Sequence, residues 1–237
     1  MTAKRKDNLE KSFADRLIDA GEILYGEHGL TGISLRQIAS AAGNNNNYAV
    51  QYHFGSLNGF LQAIIEQRSP AVELRRGQLL EQVIAQGKAG EMQALVGALF
   101  LPLIEHKDSK GKRAYARFTL ALLNSSAVTE YNGVVIDHPN ANTIIGLLRQ
   151  TNPDVPAPIL WERLRHVSTG VLTSLFNRLK PFDQSKFDAA LVEDVLRVAA
   201  AALSAPVAQF ARMITQGDPV KKNAKRKKAA KSDALTD

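Results

Sequence analysis

The chain contains no cysteine. A disulfide framework, a thiolate metal site and a cysteine nucleophile are thereby excluded, and a reducing compartment is compatible. It also lacks any long uncharged apolar run of the roughly 18 residues that would suggest a membrane span. The opening stretch MTAKRKDNLEKSFADRL has no apolar segment of signal-peptide length, so a soluble, cytoplasmic protein without membrane partners is expected. His28, His53, His106, His138 and His166 show no ligand spacing, and no HExxH is present. There is no GxSxG, no phosphate-cradling glycine loop and no paired-carboxylate motif. No metal, no cofactor and no enzymatic activity are expected.

A more telling scarcity is local. All six carboxylates of residues 1–60 precede His28, and none falls between His28 and Phe60, where Arg36 is the one charged side chain of fixed sign. A surface that meets phosphates should lack carboxylates, because each would repel the nucleic acid. The formal charge of +7 is weaker evidence, since residues 220–237 hold seven Lys/Arg against two Asp/Glu. Most of the basic balance sits in that tail.

What is there is helical periodicity almost throughout, in a chain of 237 residues with 45% hydrophobic content, enough for two domains. Residues 9–27 place Phe13, Leu17, Ala20 and Leu24 on one stripe, with Asp15, Asp19 and Glu22 opposite it and facing solvent. Ser34 caps a short helix, Gly43 and an Asn run stop it, and a second short helix covers about Asn46–His53. Ser56 caps a longer helix that Pro70 kinks or divides. Further helices are expected near 91–105, 112–124, 140–150, 158–180 and 186–214, with a loop at 125–139. The fold class is all-α.

Two short helices joined by a tight glycine turn specify a helix-turn-helix, with the second helix in the major groove. In SLRQIASAAGNNNNYAVQYHFGS, Ile38 and Ala39 pack the first helix, and Val50 and Phe54 anchor the second. The side chains left outward are Asn, Tyr, Gln and His, all neutral and hydrogen-bonding. The match GEILYGEHGLTGISLRQIASAAG, then YHFGS and an apolar helix, resembles the tetracycline-repressor (TetR/AcrR) family over about residues 13–66. Two departures matter. Ten residues separate Gly43 from Phe54, one more than the common pattern, and Leu57 stands where the family commonly has a Lys.

The resemblance implies a regulator that binds a palindromic double-stranded operator as a homodimer and is released by a small-molecule effector. The implied division is a flexible basic arm (1–8), a helix-turn-helix domain (9–55), a helical ligand-binding and dimerisation domain (56–216) and a disordered basic tail (217–237). Tyr52 and His53 resemble backbone-contact residues, and Arg36 resembles a position that often touches DNA. Asn46 and Asn47 stand between base or phosphate contact and capping. Tyr48 and Gln51 complete the reading helix, and Lys4, Arg5 and Lys6 are candidates for a minor-groove arm. Leu160, Leu164, Val171 and Phe176, with Leu191, Val195 and Val198, lie on two helices apolar on two sides, as a four-helix dimer contact would need. Phe100, Tyr115, Phe118 and Trp161 are the candidate ligand wall, with Arg117, Thr119 and Asn124 as polar additions. The other reading is a nonspecific architectural DNA-binding protein driven by the basic tail.

Overall fold

A computed structural model of the chain describes residues 12–44, 46, 48–125, 138–176 and 189–207. The basic arm with Lys4, Arg5 and Lys6, together with Asn47, most of the 125–139 loop and the 217–237 tail, lies outside the described residues. Among those described there are nine helices and no strand. The helices are α1 (Phe13–His28), α2 (Leu35–Ala41), α3 (Ala49–Phe54), α4 (Leu57–Ala85), α5 (Met92–Glu105), α6 (Ala114–Leu123), α7 (Pro139–Gln150), α8 (Ala157–Phe176) and α9 (Ala189–Ser204). The all-helical expectation holds.

Local chemistry sets the starts of the first four helices but one. Ser12 and Asp15 form a reciprocal capping box on α1, and Ser34 and Gln37 form a second on α2. Ser56 Oγ accepts the Gly59 N–H at the start of α4. Gly43, at φ 85°, makes the turn out of α2, and Gly55, at φ 74°, makes the turn out of α3. Both lie in the left-handed region that side chains with a Cβ rarely adopt.

Three expectations need correction. Pro70 does not divide its helix, because α4 runs unbroken from Leu57 to Ala85. A mid-helix proline costs about 3 kcal/mol, but Ile64, Ile65, Ser69, Val72 and Glu73 are buried on either side of it and hold the helix in register. α9 ends at Ser204, short of the expected end near 214, and Pro206 disfavours helical geometry in the residue before it. The acids of α1 do not all face solvent. Glu22 is buried against α4, and the stripe that enters the core is Leu17, Ile18, Gly21 and Tyr25. The reason is that α1 is flanked by both α4 and α6, so its buried face is wider than one apolar stripe.

Residues up to Ala205 form one compact unit. Of the second unit, Pro206–Asp237, only Pro206 and Val207 are described. Within the first unit, α1 packs on α2, α4 and α6, while α4 reaches from α3 to α5 and α7. One apolar core runs from Leu17 and Ile38 through Phe60 and Phe118 to Leu172 and Leu203. The expected boundary at residue 55 coincides with the Gly55 turn, and the core continues across it.

Candidate nucleic-acid interface

The α2–α3 unit is held from below by small, fully covered residues. Ile38, Ala39, Ala49 and Val50 are all buried, and Phe54 packs its ring 5.0 Å from that of Phe60 on α4. Arg16 on α1 donates from Nε to the Ala42 carbonyl at 3.3 Å and lies over the Phe13 ring, which ties the end of α2 to α1. Sequence reading missed Arg16. Its position one turn after Phe13 is the only local signal, and the carbonyl it reaches is 26 residues away.

The opposite side of this unit is polar and open. Tyr48 and Tyr52 are 72% and 84% exposed, and Gln51, His53 and Arg36 are exposed as well. Tyr48 to Tyr52 is one helical turn, so both phenols stand on one face of α3. The His53 ring is wedged edge-on between Phe13 at 5.4 Å and Tyr52 at 5.2 Å, which fixes its orientation from α1. Asn44 and Asn46 act on the backbone. Asn44 Oδ1 accepts the Asn46 N–H at 2.8 Å, and Asn46 Oδ1 accepts the Tyr48 N–H at 3.0 Å. Both bonds close Asx turns ahead of α3, whose N-cap residue, Tyr48, makes no side-chain capping bond. α3 begins at Ala49, after the Asn run.

The nearest acids are turned away. Asp15 accepts from Gln67 at 2.7 Å, and Arg68 donates to Asp19 at 2.5 Å and to Glu22 at 2.8 Å. Three of the four carboxylates of α1 thus engage α4, and the fourth, Glu27, is exposed near the end of the helix. Burial pushes the Glu22 carboxyl above the usual carboxylate range, with Arg68 pulling against that shift.

Behind this unit, a chamber of about 840 Å³ opens among α4, α5, α6, α7 and α8. Phe100 and Trp161 line it, as do Thr119 and Asn124. Tyr115 and Phe118 do not. They stack on each other in the core, 6.2 Å apart, and burial raises the Tyr115 phenol to a pKa of about 12. Arg117 instead lies over the Phe176 ring. Sequence reading missed Arg76, a buried wall residue paired with Glu73.

The proposed dimer residues divide sharply. Leu160, Leu164, Val171 and Phe176 are buried within the single chain, because α8 packs on both α6 and α9. Leu160 and Phe176 belong to its core, Leu164 also lines the chamber, and Val171 also lines the groove between α8 and α9. Leu191 and Val195 are half-buried, and Val198 is 61% exposed. A groove of about 420 Å³ between α8 and α9 is lined by Val195, Val198, Ala202, Gly170 and Ser174. Among known proteins, no family model matches the chain, and no curated protein matches it significantly.

Proposed function

We propose that the protein is a DNA-binding transcriptional regulator of the tetracycline-repressor type, acting as a homodimer on a roughly palindromic operator. The observation that carries this reading is the α3 face. It presents Tyr48, Gln51, Tyr52 and His53 outward on a rigidly packed short helix, in a stretch without a carboxylate from His28 to Phe60. Such a face can donate and accept hydrogen bonds at base edges and phosphates while repelling neither. Arg36 on α2 adds a cation beside it. The sequence resemblance over residues 13–66 supports the same reading, and the chamber supplies a place for an effector.

Selection of binding sites from random DNA by the full chain tests this. The expected result is a two-fold consensus with half-site centres one helical turn apart, about 34–36 Å. A featureless consensus, with binding abolished by removal of residues 220–237, would instead favour a nonspecific architectural protein. A regulator keeps its sequence preference without the tail and loses only part of its salt-dependent affinity.

A further inference from the structure

We propose that the chamber binds a largely apolar carboxylate whose head group is held by Arg76. Its standing as an effector site rests on the DNA-binding reading; the site itself does not.

Most of the wall is hydrocarbon, including Leu99, Phe100, Leu103, Leu164 and Leu172. Its hydroxyls are spent as donors. Thr119 donates to the Tyr115 carbonyl at 2.8 Å, Ser125 to Leu122 at 2.7 Å and Ser168 to Leu164 at 2.7 Å. None of the three has a proton left for a ligand, so an acceptor head group is left with the neutral Asn124 carboxamide and Trp161 indole N–H and with the charged arginines of the wall, of which only Arg76 is buried.

Arg76 is that donor. It is 8% exposed, and two of its three guanidinium nitrogens are committed: Nε to the Leu99 carbonyl at 3.0 Å and Nη1 to Glu73 Oε1 at 2.6 Å. The third, Nη2, makes no hydrogen bond with the described residues, and Arg76 lines the chamber. An open guanidinium edge on an apolar wall can take a carboxylate through charge-assisted hydrogen bonds. Glu73 pairs with this charge and is itself held from a second side. Its other oxygen, Oε2, accepts the Asn140 N–H at 2.9 Å in the first turn of α7, and Asn140 Nδ2 donates to the Glu73 carbonyl at 3.0 Å. The positive end of α7 therefore draws on the same carboxylate. The other two charges in the wall, Arg165 and Glu162, pair with each other at 2.7 Å and are largely exposed. Arg76 is thus the least exposed charged group of the wall, and the chamber's size lies within the range of small-molecule sites.

Trp161 is the only tryptophan and lies in the chamber wall, so its fluorescence reports occupancy directly. The full chain would be titrated at neutral pH with decanoate, naphthoate, 1-decanol and methyl decanoate, and decanoate binding repeated by equilibrium dialysis. At least one acid should bind, and decanoate should bind roughly tenfold or more tighter than its alcohol and ester. Arg76→Met should abolish that preference while leaving alcohol binding in place, whereas Arg165→Gln should leave it intact. If Arg76→Met fails to fold, the acid-against-alcohol comparison on the unaltered chain decides alone. Equal affinity for acid and alcohol, or no binding of either acid by both methods, overturns the proposal. Operator binding is measured separately: decanoate binding without operator binding removes the regulatory reading and keeps the site, and the reverse keeps the regulator and removes the site.

Discussion

The exposed side chains of α3 differ in how firmly they are held, and that difference separates their expected roles. His53 is pinned between Phe13 and Tyr52, which suits a group that sets the position of the helix on the backbone. Gln51 is exposed and directed outward, as a base-reading amide should be. In competition binding against scrambled DNA, Tyr52→Phe and His53→Ala should weaken all sequences alike. Gln51→Ala should relax preference at particular base pairs, by about 1–3 kcal/mol per bidentate contact. Uniform loss in all three would sink the division. Glu22 carries a different prediction. Its raised pKa means that the folded chain keeps a proton which the unfolded chain has already released. The stabilisation from this group is complete below the unfolded pKa and is lost as pH rises through the folded one. Glu22→Gln removes that titration, so the variant's stability relative to the parent should increase with pH across the mildly acidic range. A relative stability that falls with pH would show that the Arg68 ion pair outweighs burial.

Helix contacts here depend on where a side chain is missing. A Cβ added to Gly21 on α1 would lie 2.4 Å from Cζ of the fully buried Phe60 ring, whereas one added to Gly146 on α7 meets nothing within 4 Å. Gly146→Ala should gain helix propensity, about 0.5–1 kcal/mol. Gly21→Ala should cost about 1–3 kcal/mol through overpacking despite the same gain. Thermal melts of the two variants should therefore shift in opposite directions, and a shared upward shift would mean that α1 can move off α4 freely. The same contrast explains what could be read from the sequence. Caps at Ser34 and Ser56 were legible because their partners lie three residues away. The short helices α2 and α3 were legible because their packing residues and the Gly43 turn lie close together in sequence. The apolar stripes of α8 showed correctly that the helix is covered, but periodicity does not say by what, so Leu160 and Leu164 were assigned to a partner when α6 and α9 of the same chain cover them. Arg68–Glu22 and Arg76–Leu99 join positions 46 and 23 residues apart, and no local pattern announces such pairs.

For the whole molecule, the proposed dimer must use what the single chain leaves uncovered; on α8 and α9 the exposed large apolar side chains are Trp161 and Val198, and Val198 lies in a groove between the two helices. Sedimentation of the parent chain at micromolar concentration should show a dimer, and Val198→Lys should shift it toward monomer without loss of helix content. A monomeric parent, or a dimer indifferent to the lysine, would place the interface elsewhere. Because the core continues from Leu17 to Leu203, heating should produce one cooperative transition in the described unit rather than two. The contact of α1 with α6 makes the same point closely: a Cβ on Gly26 would come within 2.9 Å of Arg117 Cβ, so the two backbones lie almost against each other. The α1–α3 segment is therefore not a cartridge. A chimera that grafts residues 12–56 onto another helical body would carry the exposed side chains of α3 but lose the floor on which they stand. On the proposed DNA-binding reading, a change of target would be made by rewriting the surface residues of α3 in place.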